Sequence, residues 1–325
     1  MEACLFDVQS LVKTIQSLQL SKANKKNGEG QFLTCMISAQ GIKLSNSTLS
    51  KDVYCCSWLR KNIFKKYLYE ASQTNCSRFE ICLGTILNCI QVFGLDAKMV
   101  ILTYDHVSLH LSITDDDGAV TDCSLCTYNI SEETNEFYYS NFLDCKNVAI
   151  FDLDYVTMFP IILRELLKDL CDVGRSESKI KIEFHPINQE QTCILSFSCS
   201  VEGKECIWEF SDDHSVFTGC RIVQSHCYFY SLKSLSQLEK SLNVCSLLRI
   251  VIGNNGLLNL QMAIKNDSQN VVKGGTCNSN IEGRSPEHDD NKYQQIFNTE
   301  FIIFPINYVQ EEDYNYQINN NDFKL

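Results

Sequence analysis

VAIFDLDYVTMFP, from Val148 to Pro160, admits two readings that lead to different folds. In one, an apolar strand ends on Asp152-x-Asp154, and Asp152 attacks phosphate beside a Mg²⁺ ion with Asp154 as its acid–base partner. That chemistry belongs near the start of a parallel α/β domain, with an ordered set of Ser/Thr, Lys and acidic motifs behind it. No such set follows Pro160. In the other, the chain leaves a strand and enters a helix. Asp154 or Thr157 then accepts hydrogen bonds from the first-turn N–H groups, and a cap at Thr157 makes Pro160 the third helical residue, where its missing N–H costs nothing.

Repetition within the chain favours the second reading. Phe6-Asp7 precedes an apolar-periodic run from Val8 to Leu20, in which Val8, Leu11, Val12, Ile15 and Leu18 share one helical face. Phe151-Asp152 precedes another from Met158 to Leu170, through Phe159, Ile162, Leu163 and Leu166. A further helix is expected over Ile81–Phe93, stopped by Gly94. Its counterpart is Ser234–Cys245, opened by Ser234-x-x-Gln237 as a capping box. Between these helices lie short alternating strands. The first half has QFLTCMISAQGIKLSN, KDVYCCSWL, IFKKYLYEA and MVILTYDHVSLHLSI; the second has KIKIEFHP, TCILSFSC, CIWEFS and RIVIGNNGLLNLQMAI. Gly41, Asp115–Gly118 and Asn255-Gly256 mark turns.

The expected fold class is therefore α+β, with two duplicated domains, each carrying two helices on mostly antiparallel sheet. Domain boundaries are expected at 1–128 and 143–310, joined by a polar linker at 129–142. Residues 266–298 read as a mobile insertion in the second domain, and 311–325 as an acidic tail.

A chain of 325 residues holds two cores of ordinary size, and its 44% hydrophobic and 21% charged content is that of a soluble globular protein. Neither a secretory leader nor a run long enough to span a membrane is expected from the pattern. The 18 cysteines are scattered, and one C-x-x-C at Cys123 and Cys126 cannot complete a zinc tetrahedron. Free thiols in a reducing compartment are the simpler expectation. A net charge of −12 argues against a surface that coats nucleic acid everywhere, but leaves room for one basic face.

The helices supply a candidate for that face. At 100° per residue, Lys13 lies opposite the Leu11/Ile15 stripe, Lys168 opposite Phe159/Leu163/Leu166 with Arg164 one turn back, and Lys240 opposite Leu235/Leu238/Leu242. Lys233 just precedes the last helix, and Glu165, Asp169 and Glu239 fall on the flanks. The second helix offers only Thr85, Asn88 and Val92. Base-reading motifs are lacking, so any duplex would be met as a charged rod. The run RKNIFKK, Arg60 to Lys66, reads as a solvated strand face in preference to a second phosphate contact.

LVKTIQSLQL, FLTCMISAQGIKLSNSTLSKDVYCCSWL, FEICLGTILNCIQVFG and SLSQLEKSL together resemble sliding DNA clamps of the proliferating-cell-nuclear-antigen (PCNA) type, and most closely the Rad-one subunit family of the nine-one-one checkpoint clamp. The resemblance spans roughly Leu5 to Lys265 and the last strand, and it rests on hydrophobic pattern. It implies a pseudo-sixfold ring of three two-domain subunits, with helices lining the hole. The DNA-facing residues would be Lys13, Arg164, Lys168, Lys233 and Lys240, with Lys22, Lys25 and Lys26 after the first helix. It further implies Rad-nine-like and Hus-one-like partners, a Rad-seventeen clamp loader, a nuclear location, and neither catalytic residue, metal nor cofactor. Two alternatives remain at this point. One is a homotrimeric replicative clamp. The other is a 3′–5′ exonuclease holding two Mg²⁺ on Asp115–Asp117 or on Asp152 and Asp154.

Overall fold

The computed structural model describes residues 1–20, 30–69, 77–92, 96–130, 154–173, 178–186, 193–201, 203–211, 216–264 and 297–306. The first half runs β1 (Glu2–Leu5), α1 (Val8–Ser17), β2 (Phe32–Ser38), β3 (Gly41–Ser47), β4 (Val53–Arg60), β5 (Lys66–Leu68), β6 (Ser77–Cys82), α2 (Leu83–Ile90), β7 (Ala97–Tyr104), β8 (Ser108–Asp115) and β9 (Val120–Cys126). The second runs β10 (Asp154–Met158), α3 (Pro160–Val173), β11 (Lys179–Pro186), β12 (Cys193–Val201), β13 (Lys204–Ser211), β14 (Phe217–Arg221) and β15 (His226–Ser231). It continues with α4 (Leu232–Leu235), a 3-10 turn (Ser236–Leu238), α5 (Glu239–Val244), β16 (Leu247–Ile252), β17 (Leu258–Ile264) and β18 (Phe297–Ile303). The two orders match element for element, with α4 and α5 together standing where α2 stands.

Sheet topology repeats as well. The first half builds the sheet β5-β1-β7-β8-β9, and the second repeats it as β14-β10-β16-β17-β18. The other unit is β4-β3-β2-β6 in the first half and β13-β12-β11-β15 in the second. One junction fuses two of these four units: β18 pairs antiparallel with β4, setting Phe301 opposite Cys55 and Ile303 opposite Val53, so that nine strands form one sheet. Period-2 burial drives the strands. Leu33, Cys35 and Ile37 of β2 face inward, as do Ile180, Ile182 and Phe184 of β11.

Helix entry differs between the halves, and the opening segment needs correction. Asp7 caps α1 by accepting the Ser10 N–H at 3.0 Å. In the second half β10 begins at Asp154 instead of ending there, and Thr157 sits inside the sheet opposite Arg249. Neither Asp154 nor Thr157 is a helix cap. Pro160 is the first helical residue, so Phe159 and not Asp152 stands where Asp7 stands. The cause is local. Proline holds its predecessor extended and is pre-shaped for the first helical position, while Val156 and Thr157 favour strand. Asp152 and the rest of Val148–Leu153 lie outside the described residues.

Three other expectations shift. Ser234 is the third residue of α4 and no N-cap; Gln237 Nε2 donates to the Lys233 carbonyl at 3.1 Å, so no capping box forms. Ile81 lies within strand β6, and α2 opens only at Leu83. RKNIFKK is no strand face: Lys61–Ile63 form a 3-10 turn that buries Ile63 and Phe64, Lys66 pairs with Glu2 at 2.7 Å, and the Lys65 ammonium lies 4.6 Å from the Phe6 ring centre. Most of the expected linker at 129–142, the insertion up to 296 and the tail at 311–325 lie outside the described residues, while Phe297 and Asn298 belong to β18.

Small polar side chains seal the seam between the halves. Ser17 Oγ and Thr299 Oγ1 are 2.8 Å apart, the Ser57 hydroxyl donates to the Asn298 carbonyl at 2.8 Å, and the Ser234 hydroxyl donates to Asp52. Burial pulls the Asp52 carboxyl upward, but the hydroxyls of Ser234, Ser50 and Thr48 outweigh it and hold the group below its usual 3.8. A depressed carboxylate stabilises the fold above its unfolded pKa and stops doing so as pH falls through the folded value. Ser234→Ala is therefore expected to cost about 1–2 kcal/mol at pH 7 in urea unfolding. The difference from wild type should shrink as the pH drops below 3.8; a gap independent of pH would show that Ser234 acts by packing alone.

Candidate nucleic-acid interface and free sheet edges

The helices form one row. α1 lies between α2 and α5, and α5 packs on α3, while β7, β17 and β18 support α1 from beneath. α1 buries Val8, Leu11, Val12 and Ile15 and turns Gln9, Lys13 and Gln16 outward, all three half-buried. Lys168 and Lys233 are exposed, and Lys240 is half-buried. Arg164 is half-buried and committed in part: its guanidinium donates to Asn243 Oδ1 at 3.2 Å across to α5 and to Glu165 Oε1 at 3.3 Å. The structure thus brings Lys13, Arg164, Lys168, Lys233 and Lys240 onto one helical layer; Lys22, Lys25 and Lys26 lie outside the described residues.

The charge of this layer departs from that of the molecule. The helices and their 3-10 link carry five cations against the four carboxylates Glu165, Asp169, Asp172 and Glu239, whereas the whole chain carries −12. Neither α1 nor α2 contains an acidic residue. All four carboxylates are exposed, so they temper the face as well as flank it. The result is a nearly neutral strip on an acidic body, able to make a few weak phosphate contacts.

Sheet edges form the second feature. Among the described residues no strand pairs with the outer side of β9 or of β13. The internal repeat shows what such edges are built to receive. Counting across paired strands, Cys35–Leu44–Ser57 corresponds to Ile182–Phe197–Trp208, so Ser57 and Trp208 are equivalent, as are Cys55 and Cys206, and Leu59 and Phe210. Under β18, Cys55 is 0% exposed, and Ser57 and Leu59 are also sealed. On β13, Cys206, Trp208 and Phe210 are only half-buried, and Ile207 is 60% exposed. The same count from β8 and β17 makes Thr121, Cys123 and Leu125 of β9 the equivalents of Thr299, Phe301 and Ile303 of β18. These edges were missed in the sequence. The one signal is CIWEFS, whose inward-facing positions carry large aromatic groups where the covered β4 has Ser57 and Leu59.

Of the carboxylates that an exonuclease would need, Asp115 and Asp154 serve as structural groups, and Asp152 lies outside the described residues. Asp115–Gly118 is a hairpin turn, with Gly118 at φ 86° and Asp115 Oδ1 accepting the Ala119 N–H at 2.7 Å. Asp154, 3% exposed, accepts the N–H groups of Val223 (2.7 Å) and Gln224 (3.2 Å), and His226 Nε2 lies 2.7 Å from its Oδ2. Among the described residues no three His, Cys, Asp or Glu side chains converge to hold a metal ion, and the described cysteines are free thiols.

Duplicated helix-and-sheet halves joined edge to edge, with the described helices in one row, define the PCNA-type clamp fold. A chain of the PCNA2–PCNA3 complex of Sulfolobus tokodaii shares it with a TM-score of 0.61, over 94% of this chain and 99% of that one, at 11% identity. The chain belongs to the Rad1/Rec1/Rad17 family of repair proteins, whose profile matches residues 1–264. No curated protein is significantly similar to it in sequence.

Proposed function

We propose that the chain is a noncatalytic subunit of a heterotrimeric sliding clamp that encircles duplex DNA at damage sites and recruits checkpoint and repair proteins. The observation that carries this reading is a matched pair among the unpaired edges: β9 stands to β13 as β18 stands to β4. Head-to-tail pairing of β13 with a β9-like strand of a neighbour repeats the internal joint, and such heterologous contacts close into rings. Closure covers two edges that would otherwise invite aggregation. Persistence on DNA then comes from topology, and the nearly neutral helical strip suits a ring that slides, since its few charges are screened within about 8 Å at physiological salt.

Charge on the edges favours unlike neighbours. Carrying the β18–β4 register over sets Asp122 opposite Ile207, Ser124 opposite Glu205 and Leu125 opposite Lys204. β13 has Glu205 and Glu209 against Lys204, and β9 has Asp122. Two net-acidic strands with a lysine facing leucine pair poorly with each other. Rad-nine-like and Hus-one-like subunits are the partners that the family suggests, with a Rad-seventeen clamp loader, acting in the nucleus on domains bounded as the sequence implies. Lys13, Arg164, Lys168, Lys233 and Lys240, with Lys22, Lys25 and Lys26, are the residues assigned to the DNA-facing side.

Assembly tests the proposal. Light-scattering mass should show a monomer for the pure chain and a complex of three different subunits with both partners; a stable trimer of the pure chain would replace this reading by the homotrimeric one. Ile207→Asp, at an exposed position, should leave the monomer's fold intact and weaken the complex by about 2–3 kcal/mol, or about 30- to 200-fold.

A further inference from the structure

We propose that Cys199 and Cys206 are an oxidisable dithiol, closed to a disulfide by hydroperoxide in the unassembled chain and shielded when a partner strand covers β13. The two residues stand directly opposite each other in the β12–β13 hairpin. Opposed residues on antiparallel strands have Cβ atoms about 4.5–5.5 Å apart, and a disulfide spans Cα separations of about 4.4–6.8 Å, so the bond requires only small adjustment. Their register is held by a tight turn: Val201 pairs with Lys204, and Gly203 takes φ 79°. A one-residue slip of β13 past β12, which would part the sulfurs, would also turn the inward-facing Trp208 and Phe210 outward.

Location decides reactivity. Cys199 is 4% exposed, and Cys206 is half-buried on an uncovered edge. The equivalent of Cys206 in the first half is Cys55, sealed under β18 and facing Asn46 in place of a second thiol. The dithiol therefore occurs at the open edge and not at the closed joint. Burial, and then the neighbouring Cys206, push the Cys199 thiol up, and Cys206, the more exposed of the two, is the thiol that peroxide reaches first.

The chemistry balances with one hydroperoxide. The Cys206 thiolate attacks one peroxide oxygen; an S–O bond forms, the O–O bond breaks, and the departing hydroxide is protonated to water. Cys199 Sγ then attacks the sulfenic sulfur, the S–S bond forms, the S–O bond breaks, and the oxygen leaves as a second water with the Cys199 proton. Two thiols lose two electrons and the peroxide gains them.

The test uses the full, reduced chain with hydrogen peroxide at neutral pH, thiol alkylation, and peptide mass spectrometry after cleavage at Lys204, which lies between the two cysteines. A Cys199–Cys206 link reversed by dithiothreitol is expected. C199S should abolish the link and leave Cys206 trappable by dimedone as its sulfenic acid, whereas C206S should give neither product. If the chain stays folded by circular dichroism and no such link forms, or if Cys89 and Cys123, whose thiols are hydrogen-bonded between α2 and β9, link first, the proposal is overturned. The shielding rests on the proposed assembly. With partners at ten times their Kd the link should form about tenfold more slowly. An unchanged rate would leave the dithiol standing and remove β13 as the partner edge.

Discussion

Reversing Lys13, Lys168 and Lys240 together to glutamate is expected to weaken the assembled ring's hold on a short linear duplex by two to three orders of magnitude near 0.15 M salt. Each cation that neutralises a phosphate releases counterions and contributes about 0.9 to the slope of log K against log salt, so loss of three should flatten that slope by about 2.7. Glutamate adds repulsion to the loss. The three lie on α1, α3 and α5, away from β9 and β13, so the complex should keep its mass. Retention on a sealed circle should survive, because a closed ring needs no affinity to stay linked. Binding to the linear duplex by fluorescence anisotropy over a salt series separates the outcomes. An unchanged slope would remove these residues from the DNA-facing side. A complex that no longer assembles would show that Lys13 or Lys240, both half-buried in the helix row, serve packing.

What the sequence disclosed followed from periodicity, and what it hid was tertiary. α1 could be read directly, since Val8, Leu11, Val12 and Ile15 leave Lys13 as the outward charge, and the structure places it so. The order of the repeat was legible too, because strands such as KIKIEFHP alternate cleanly. Register was not. At Val148–Pro160 the matching Phe-Asp pairs suggested the wrong alignment, and the stiffness of Val156-Thr157 with the geometry of Pro160 decided where strand becomes helix. β14 and β15 escaped notice because FTGCR and HCYFYS lack regular alternation and carry Gly219 and a buried His226. The free edges were invisible for a deeper reason. An edge strand and an interior strand carry the same alternation, and apart from the aromatic groups of CIWEFS only the strand pairing tells them apart. The candidate site is half legible on the same ground: the lysines lie on periodic helices, whereas the edge residues Trp208 and Ile207 gain meaning only beside their covered counterparts Ser57 and Cys56.

Asp154→Asn is the second large effect, expected to lower unfolding stability by about 3–5 kcal/mol. The carboxylate is buried and accepts two backbone N–H groups as well as His226, on two oxygens. Asparagine keeps the shape but turns one acceptor into a donor that must face another donor, which leaves a buried group unsatisfied. The loss should appear in the urea midpoint. A double-mutant cycle with His226→Phe should return a coupling of about 1–3 kcal/mol, since the two side chains are in direct, buried contact. The same variant discriminates against the nuclease alternative. A buried carboxylate that already accepts from Val223, Gln224 and His226 is committed to its own fold, so Asp154→Asn should reduce ring yield in proportion to the folded fraction and change nothing else. A variant of undiminished stability that lost a nuclease activity present in the wild-type chain would reverse the assignment, making Asp154 a ligand and its contacts to Val223, Gln224 and His226 the resting state of a catalytic site. The geometry argues otherwise: His226 reaches Asp154 from β15 and the two N–H groups come from the segment just before it, so this carboxylate pins the four-stranded sheet of the second half to the edge of the nine-stranded one. Through that contact Asp154 holds the sheet that presents β13, so its loss lowers ring yield by lowering the folded fraction.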